Sequence, residues 1–294
     1  MREEALLAKK VKSSRTTKTA KTGLMYLFLI LGGITMIVPF LWMISTSLKS
    51  YNSVFIFNLA EIQWIPKPIC WKNYIDVWKV VPFARFYINS IFVCTCVTFG
   101  QVATSALAAY AFARLRFPGR DKLFFAYLAT MMIPGSVTMI PVFTMMSVFG
   151  WIDSYKALII PAIFSAYGTF LLRQFFMTLP RDLEDAAKID GCSMWGIFLK
   201  VILPLSHTAL ATLTIYVSLG NWVSFMWPLL VTNSIEKKTL PIGLAYFQEL
   251  YQYAQPDWGL LMAGSLVTMV PIIIIFLFNQ RFFIEGIKLT GIKG

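Results

Sequence analysis

Long apolar segments constrain this chain more than any other feature. Six segments are long enough to cross a bilayer, and only the fourth is interrupted, by Arg173 and Gln174 near its end. In chain order they cover about residues 24–48, 86–113, 123–148, 157–179, 204–231 and 259–279. Because a helix rises about 1.5 Å per residue, each segment can span roughly 30 Å of hydrocarbon. The sequence therefore predicts an all-α membrane protein with six transmembrane helices.

The composition supports a lipid environment. Hydrophobic residues make up 57% of the chain and charged residues 14%, and the mean hydropathy is +0.67. One soluble core of this length cannot bury so much apolar surface. The first segment follows a basic tail, as a secretory signal does, but its apolar run is longer than that of a signal and no small-x-small cleavage site follows. We therefore expect it to remain as the first span of a multi-pass protein.

The distribution of Lys and Arg predicts the orientation. With both termini in the cytoplasm, eighteen basic residues fall on the cytoplasmic side and eight on the opposite side. This bias satisfies the positive-inside rule. We interpret the basic tail, residues 1–23, as an unstructured determinant of topology that does not bind nucleic acid. The net charge of +12 is then mostly a consequence of topology.

A polar island, Leu179–Pro204, lies where the fourth and fifth segments meet. Pro180 can open a helix, and the acidic residues that follow complement the amide end of its macrodipole. Gly191 is expected to end this helix, and Ser193 can cap a second helix that runs through Lys200. The island thus predicts a helix, a glycine turn and a helix on the cytoplasmic side.

Two interpretations of the island remain open from its chemistry. A short helix with adjacent alanines allows close backbone approach, which suits insertion into a cleft of another protein. Alternatively, the helix is amphipathic and lies on the lipid surface. Catalysis has little support in the sequence, because no phosphate-binding loop, no cysteine pair of metal-binding type and only one histidine, His207, are present. We expect no catalytic residue, no metal site and no cofactor in this chain.

Polar and aromatic residues in the fourth and fifth segments are candidates for a solute path. Sugar recognition requires aromatic faces together with hydroxyl and amide partners. The candidates are Tyr167, Thr169, Tyr216, Ser218, Asn221, Trp222 and Ser224. The alternative is that they form interfacial aromatic belts and bonds between helices.

The island also resembles a known signature. Membrane subunits of ABC importers carry Glu-Ala-Ala, three residues, Gly, nine residues and Ile-x-Leu-Pro. This chain has Asp185-Ala186-Ala187, then Gly191, then Val201-x-Leu203-Pro204 at the same spacing. Asp185 replaces the usual Glu and Val201 the usual Ile, and we expect Glu184 to cover part of the missing glutamate's role.

Further motifs extend the resemblance over nearly the whole chain. They include Asn89-Ser90, the stretch 108–114 ending in Arg114, Phe117-Pro118-Gly119-Arg120 and the tail 280–286. In order and spacing they are similar to the MalG-like permeases of the carbohydrate-uptake group.

This resemblance implies a type I ABC importer permease of MetI-like fold in the bacterial cytoplasmic (inner) membrane. The expected domains are the basic tail 1–23, a transmembrane domain 24–280 with a coupling loop at 180–203, and a cytoplasmic tail 281–294. The implied partners are a MalF-like second permease, two MalK-like ATPase subunits that hold ATP and Mg, an extracytoplasmic solute-binding protein and a carbohydrate such as an oligosaccharide. Closure of the ATPase dimer would push the coupling helices together and switch the permeases from inward-open to outward-open.

The resemblance also assigns residues to ATPase docking. The implied docking residues of the coupling helix are Arg181, Glu184, Asp185, Ala186, Ala187 and Gly191. The C-terminal residues Gly286–Gly294 are a second candidate for contact with the ATPase.

A second class of function is also compatible with six spans. A six-helix secondary transporter or channel would work without ATP, but the spans are nearly free of the Asp, Glu and Lys that ion coupling requires.

The external stretch Lys49–Ala84 forms either an ordered cap that meets the binding protein or a loop that lies on the membrane.

Overall fold

The computed structural model describes the backbone of residues 2–50, 64–250 and 257–291, and the side chains of residues 21–50, 64–247 and 257–278. All regular elements in these ranges are helices, as the sequence predicts. In chain order the α-helices are α1 (Arg2–Ser47), α2 (Asn73–Val80), α3 (Phe83–Arg114), α4 (Arg120–Ala129), α5 (Gly135–Val148), α6 (Tyr155–Ile159), α7 (Ala166–Thr178), α8 (Asp182–Ile189), α9 (Met194–Ile197), α10 (Leu203–Leu205), α11 (His207–Trp222), α12 (Met226–Val231), α13 (Leu240–Leu250) and α14 (Trp258–Gly291).

Helices of membrane-spanning length account for most of the predicted segments. Four stretches in the described residues are long and apolar enough to cross a bilayer: Lys21–Ser47, Phe83–Arg114, Tyr155–Thr178 and Trp258–Phe278. Two bent helix pairs raise the number to six if each pair forms one span. The all-α fold is therefore confirmed, and the count of six stays a prediction.

The third predicted segment, residues 123–148, is broken and does not form one straight helix. A 3₁₀ turn at Thr130–Met132 follows α4, and the axis changes direction by 100° before α5. Pro134 lies at the break and disfavours a helical conformation of Ile133, which is extended. The 3₁₀ turn and Pro134 together account for the bend.

The fifth predicted segment, residues 204–231, is divided twice. A π-helical turn at Phe198–Ile202 precedes Pro204, and the chain bends by 78° between the helical run Met194–Leu205 and α11. A second break separates α11 from α12. The long apolar helix therefore begins at His207, three residues after the predicted start, because Pro204 belongs to the preceding helical run.

Both chain ends are more helical than expected. The predicted unstructured tail is the first part of α1, since residues 2–22 contain neither Gly nor Pro, and fourteen of these twenty-one residues are Ala, Leu, Glu, Lys or Arg. At the other end α14 continues to Gly291, through most of the predicted tail 281–294. Residues 292–294 lie outside the described residues, so the prediction for Gly286–Gly294 is only partly covered.

The first of two compact units comprises residues 1–76 and 257–266. Asn73 donates through Nδ2 to the carbonyls of Ser47 at 2.8 Å and Lys49 at 2.9 Å, which ties α2 to the end of α1. Gly259 packs against the same place, where a Cβ would lie 2.7 Å from the Lys49 carbonyl oxygen. Of the external stretch Lys49–Ala84, residues 51–63 lie outside the described residues, and its two interpretations stay open.

The second unit comprises residues 77–256 and 267–294. It contains both the coupling loop and the candidate residues of the solute path. Its centre is α3, along which α7 and α11 pack. Small residues permit the close approach: Ser105, Ala109 and Ala113 are buried on α3, and a Cβ on Gly168 of α7 would collide with Ser105. These small residues form the face of α3 on which α7 packs.

Candidate coupling site

The polar island folds as a capped helix, a glycine turn and a second helix. α8 ends with two hydrogen bonds that satisfy its last carbonyls, from Gly191 N to Lys188 O at 3.0 Å and from Cys192 N to Ala187 O at 2.9 Å. Gly191 has φ +79°, a conformation that favours glycine. The Ser193 hydroxyl oxygen accepts from Gly196 N at 3.2 Å and caps the next helix. The predicted arrangement is confirmed, with α8 beginning at Asp182.

α8 has two faces that differ in exposure. Asp185, Ala186 and Ile189 point outward, and Ile189 is 87% exposed. Glu184 and Ala187 point inward and are buried. The two alanines of the signature are therefore not equivalent, since Ala186 is available to a partner and Ala187 fills the protein's own core.

The outward face carries a local ion pair. Lys188 Nζ donates to Asp185 Oδ1 at 2.8 Å, one helical turn away. This hydrogen bond, followed by the charge of Lys188, lowers the pKa of the Asp185 carboxyl. Asp185 is therefore an exposed carboxylate at neutral pH. The exposed residue Arg181 precedes α8 and borders a surface depression of about 560 Å³ together with Arg116 and Lys122.

Glu184 does not take the place that the sequence suggested. Its Oε1 lies 2.9 Å from Arg114 Nε, and the two side chains are 9% and 4% exposed. The Arg114 N–H is not aimed at that oxygen, so the contact is ionic. Because the carboxylate is turned inward, it cannot supplement Asp185 on the exposed face, and that expectation is wrong.

Arg114 also binds the end of a neighbouring helix. Its Nη2 donates to the carbonyls of Phe176 and of Leu179, the latter at 2.8 Å, where α7 ends. In return Arg173 of α7 donates through Nε to the carbonyl of Phe112 at 3.2 Å, near the end of α3. Positive side chains at these two helix ends compensate exposed carbonyls and the negative end of the macrodipole. The C-terminal ends of α3 and α7 are thereby fastened together.

Sequence reasoning missed the role of Arg114. The residue was visible as the charge that ends a long apolar segment, but neither the count of basic residues nor the family motif 108–114 gave it a partner. A buried partner for it cannot be read from spacing, because Glu184 is seventy residues away. Only the packing of α8 on α3 brings the two together.

The candidate path residues fall into separate groups. Tyr167 of α7 and Tyr216 of α11 have ring centroids 4.8 Å apart with an interplanar angle of 43°. Both rings are partly exposed, Tyr167 at 37% and Tyr216 at 55%. This tyrosine pair is the part of the predicted set that presents aromatic faces to the outside of the described chain.

Ser218 and Trp222 lie on another side of α11. They line a cavity of about 440 Å³ together with residues of α3 and α14. Ser218 Oγ is 3.3 Å from Thr98 Oγ1, and Trp222 Nε1 donates to the carbonyl of Thr268 at 3.1 Å. The lining is largely apolar, and these polar groups are used in bonds between helices.

The remaining candidates do not join either group. Thr169 is buried and donates to the Ser165 carbonyl at 3.0 Å, and Asn221 donates to the Val217 carbonyl at 2.9 Å, each within its own segment. Ser224 lies in the break after α11. The structure therefore brings together Tyr167 with Tyr216 and Ser218 with Trp222, and places the other three apart from them.

His207, the single histidine, makes local contacts. Its Nδ1 is 3.2 Å from the Pro204 carbonyl oxygen and its Nε2 is 3.3 Å from Thr208 Oγ1. Among the residues whose side chains are described, no cluster of three His, Cys, Asp or Glu side chains is suited to a metal ion. The expected lack of a resident cofactor stays a prediction.

Comparison with known proteins places this architecture. A family model described as "Binding-protein-dependent transport system inner membrane component" matches residues 101–287. The chain is 36% identical over 266 residues to the arabinooligosaccharides transport system permease protein AraQ of Halalkalibacterium halodurans, covering 90% of this chain and 85% of that protein. It is 32% identical over 269 residues to the sn-glycerol-3-phosphate transport system permease protein UgpE of Yersinia pestis, covering 89% and 94%.

A solved structure shares the fold. It is that of a bacterial ABC transporter involved in the import of the acidic polysaccharide alginate, with a TM-score of 0.78 and 24% sequence identity, covering 88% of this chain and 95% of the other. The signature spacing of the coupling loop, the helical architecture and these similarities agree. The chain belongs to the family of binding-protein-dependent transport system inner membrane components, the permease subunits of ABC importers.

Proposed function

We propose that this chain is one of two permease subunits of an ATP-driven importer that moves a carbohydrate, such as an oligosaccharide, into the cell. Relatives that align over most of their length are named for arabinooligosaccharide and for sn-glycerol-3-phosphate transport. Both solutes have hydroxylated carbon skeletons, so the substrate class is better supported than any particular sugar. The partners are a MalF-like permease, two ATPase subunits and an extracytoplasmic binding protein.

The observation that carries the docking part of this proposal is the exposed face of α8. Asp185, Ala186 and Ile189 stand outward on a helix whose end is fixed by the Gly191 turn. The small alanine permits close backbone approach, and the charge of the neighbouring carboxylate sets the register. Both properties suit a cleft in an ATPase subunit. In this proposal α8 faces the cytoplasm, both termini lie on that side, and ATP and Mg are bound by the ATPase.

Co-purification tests the docking surface. The full importer is assembled with an affinity tag on the MalF-like permease, and the ATPase bound after detergent extraction is quantified. We expect Ala186→Tyr to remove most of the ATPase, because the ring occupies the space that the partner requires. Asn233→Tyr, which introduces the same side chain at an exposed residue on the other side of the proposed membrane, is the control and should leave the ATPase bound.

Two results would contradict the docking proposal. One is undiminished ATPase binding by Ala186→Tyr, and the other is an equal loss in the control. Wild-type importer that takes up solute in proteoliposomes without any ATPase would contradict the whole function and support a secondary carrier or channel instead.

The substrate class is tested with the purified binding protein of the same importer. Calorimetric titration with arabino-oligosaccharides, sn-glycerol 3-phosphate and alginate oligosaccharides separates neutral sugars from anionic ones. We expect binding of a carbohydrate in this panel or of a related oligosaccharide. Tight binding of an amino acid or a peptide, with no sugar bound, would contradict the proposal.

A further inference from the structure

We propose that the buried Arg114–Glu184 pair is the positioning link that passes movement of the coupling helix α8 to the second and fourth predicted spans. The Nε to Oε1 distance is 2.9 Å, and both side chains are less than one tenth exposed. The inference rests on the proposed function. There the exposed face of α8 binds the ATPase, and the buried pair connects the same helix to α3.

The arginine end of the link belongs to a rigid frame. Arg114 is the last residue of α3 and holds the carbonyls at the end of α7, and Arg173 of α7 holds the Phe112 carbonyl of α3. Arg173 also stacks its guanidinium 4.0 Å from the centroid of the Phe124 ring on α4. A displacement of Arg114 therefore moves the ends of several helices together.

The glutamate end is fixed to the coupling helix. Glu184 and Ala187 are three residues apart on α8 and share its buried face. Ala187, Ile197 and Phe198 belong to the same buried core as Ala109 and Tyr110 of α3, and the rings of Tyr110 and Phe198 have centroids 5.1 Å apart. Apolar packing thus holds α8 near α3, while the ion pair fixes its register.

A charged pair suits this role better than apolar contact alone. Apolar packing tolerates small sliding, whereas separating two buried opposite charges leaves each without compensation in a medium of low dielectric constant. Sliding of α8 past α3 is therefore opposed, and a push on α8 moves the frame. If the pair is lost, we expect an importer that still binds its ATPase but imports less solute per ATP hydrolysed.

The test uses the reconstituted importer with all partners. Glu184→Gln keeps the shape of the side chain and removes its charge, and Asp182→Asn makes the same change at an exposed position of α8. The measurements are ATPase co-purification, the stimulation of ATP hydrolysis by loaded binding protein, and solute imported per ATP hydrolysed. For Glu184→Gln we expect normal co-purification and a fall of about ten-fold in stimulation and yield, within the usual range of coupling between sites. Asp182→Asn should behave as the wild type.

A distance measurement keeps the proposal testable if Glu184→Gln proves unstable. Spin labels at Leu183 on α8 and Met177 on α7, both exposed and neither on the docking face, are introduced into a chain without its four cysteines. In the otherwise unchanged protein we expect the same label distance in the resting and the ATP-bound importer, because the two helices move as one body. In Glu184→Gln the distance should broaden or shift on ATP binding.

The outcomes separate this inference from the proposed function. A wild-type importer that couples normally, with Glu184→Gln indistinguishable from it, overturns the link alone. A label distance that already changes on ATP binding without the substitution also overturns it, since α8 then slides. Loss of ATPase from Glu184→Gln would assign Glu184 to docking or folding and overturn the link. A wild-type assembly without ATP-dependent uptake would overturn the proposed function itself.

Discussion

The Asp153 carboxylate accepts hydrogen bonds from both the backbone N–H and the hydroxyl of Ser234, which lies in a distant loop. Asp153 Oδ1 accepts from the backbone N–H of Ser234 at 3.0 Å and from that of Asn233 at 2.9 Å, and the Ser234 hydroxyl donates to Oδ2. Asp153 N also donates to the Val231 carbonyl at 2.7 Å. With φ at +60°, Asp153 adopts a conformation that Asp and Asn tolerate better than other side chains. The turn after α5 is thus bound to the turn after α12.

The Asp153 cap predicts a pH dependence of stability. The hydrogen bond from the Ser234 hydroxyl, with help from the two backbone amides, lowers the pKa of Asp153 in the folded protein. Its stabilising effect is therefore full above the unfolded pKa of about 3.9 and is lost as the pH falls through the lower folded value. Asp153→Asn keeps the backbone conformation and should cost about 1 kcal/mol at pH 7. Thermal unfolding in detergent should show this difference shrinking below about pH 4, and a constant difference would contradict the assignment.

Substitution of Gly191 should lower the stability of the protein only through backbone strain. Its φ of +79° strains any L side chain, although a Cβ there would meet no atom within 4 Å. Gly191→Ala should therefore cost about 1 kcal/mol and Gly191→Asn less, because Asn enters the left-handed region more readily. Gly135→Ala, which also meets no atom and has no left-handed φ, is the matched control. Unfolding midpoints in the order wild type, Asn and Ala would support the assignment, and equal midpoints for Gly191→Ala and wild type would refute it.

Asn89 predicts a large loss of stability on substitution. Its side chain is 1% exposed, and Nδ2 donates to the carbonyls of Glu236 and Lys238, each at 2.8 Å, while Oδ1 accepts from the Tyr155 hydroxyl at 2.8 Å. Asn89→Ala removes three part-buried hydrogen bonds, although Arg85 Nε still donates to the Glu236 carbonyl, and should cost about 2 to 3 kcal/mol. Tyr155→Phe removes one of these bonds and should cost about 1 kcal/mol. Midpoints from fluorescence-detected size exclusion would rank the variants, and a Tyr155→Phe effect as large as that of Asn89→Ala would be inconsistent with this network.

The tyrosine pair makes a prediction about solute passage. If Tyr167 and Tyr216 offer a stacking surface for sugar, Tyr216→Ala should lower uptake about three- to ten-fold, while Tyr216→Phe should retain more of the activity. The control is Thr169→Val, because that hydroxyl bonds only within its own segment. Uptake into proteoliposomes is measured together with stimulated ATP hydrolysis. Unchanged uptake by Tyr216→Ala would remove the pair from the solute path.

Much of the coupling loop was predictable because its signals are local. Gly191 and Ser193 specify a helix stop and a helix cap from their own backbone and side-chain chemistry, and the structure contains both. The inward turn of Glu184 was not predictable in this way. Both Glu184 and Asp185 are acids in the first turn of α8, and the neighbouring helix alone decides which of them is buried.

The broken spans show a similar limit. Pro134 and Pro204 are visible in the sequence as helix-breaking residues, but apolar residues flank each break on both sides. The size of each bend, 100° and 78°, depends on how the flanking helices pack. Hydropathy reports that a segment avoids water and does not report its direction.

The sequence alone determined the helical membrane class, the position of the coupling helix and its end at Gly191, because periodicity, hydropathy and capping act over a few residues. The tertiary structure decided which side chains of that helix are outward and which candidate path residues lie together. It also decided that Arg114 binds both the end of α7 and Glu184. Contacts between residues sixty or seventy positions apart follow from helix packing, which no local pattern encodes.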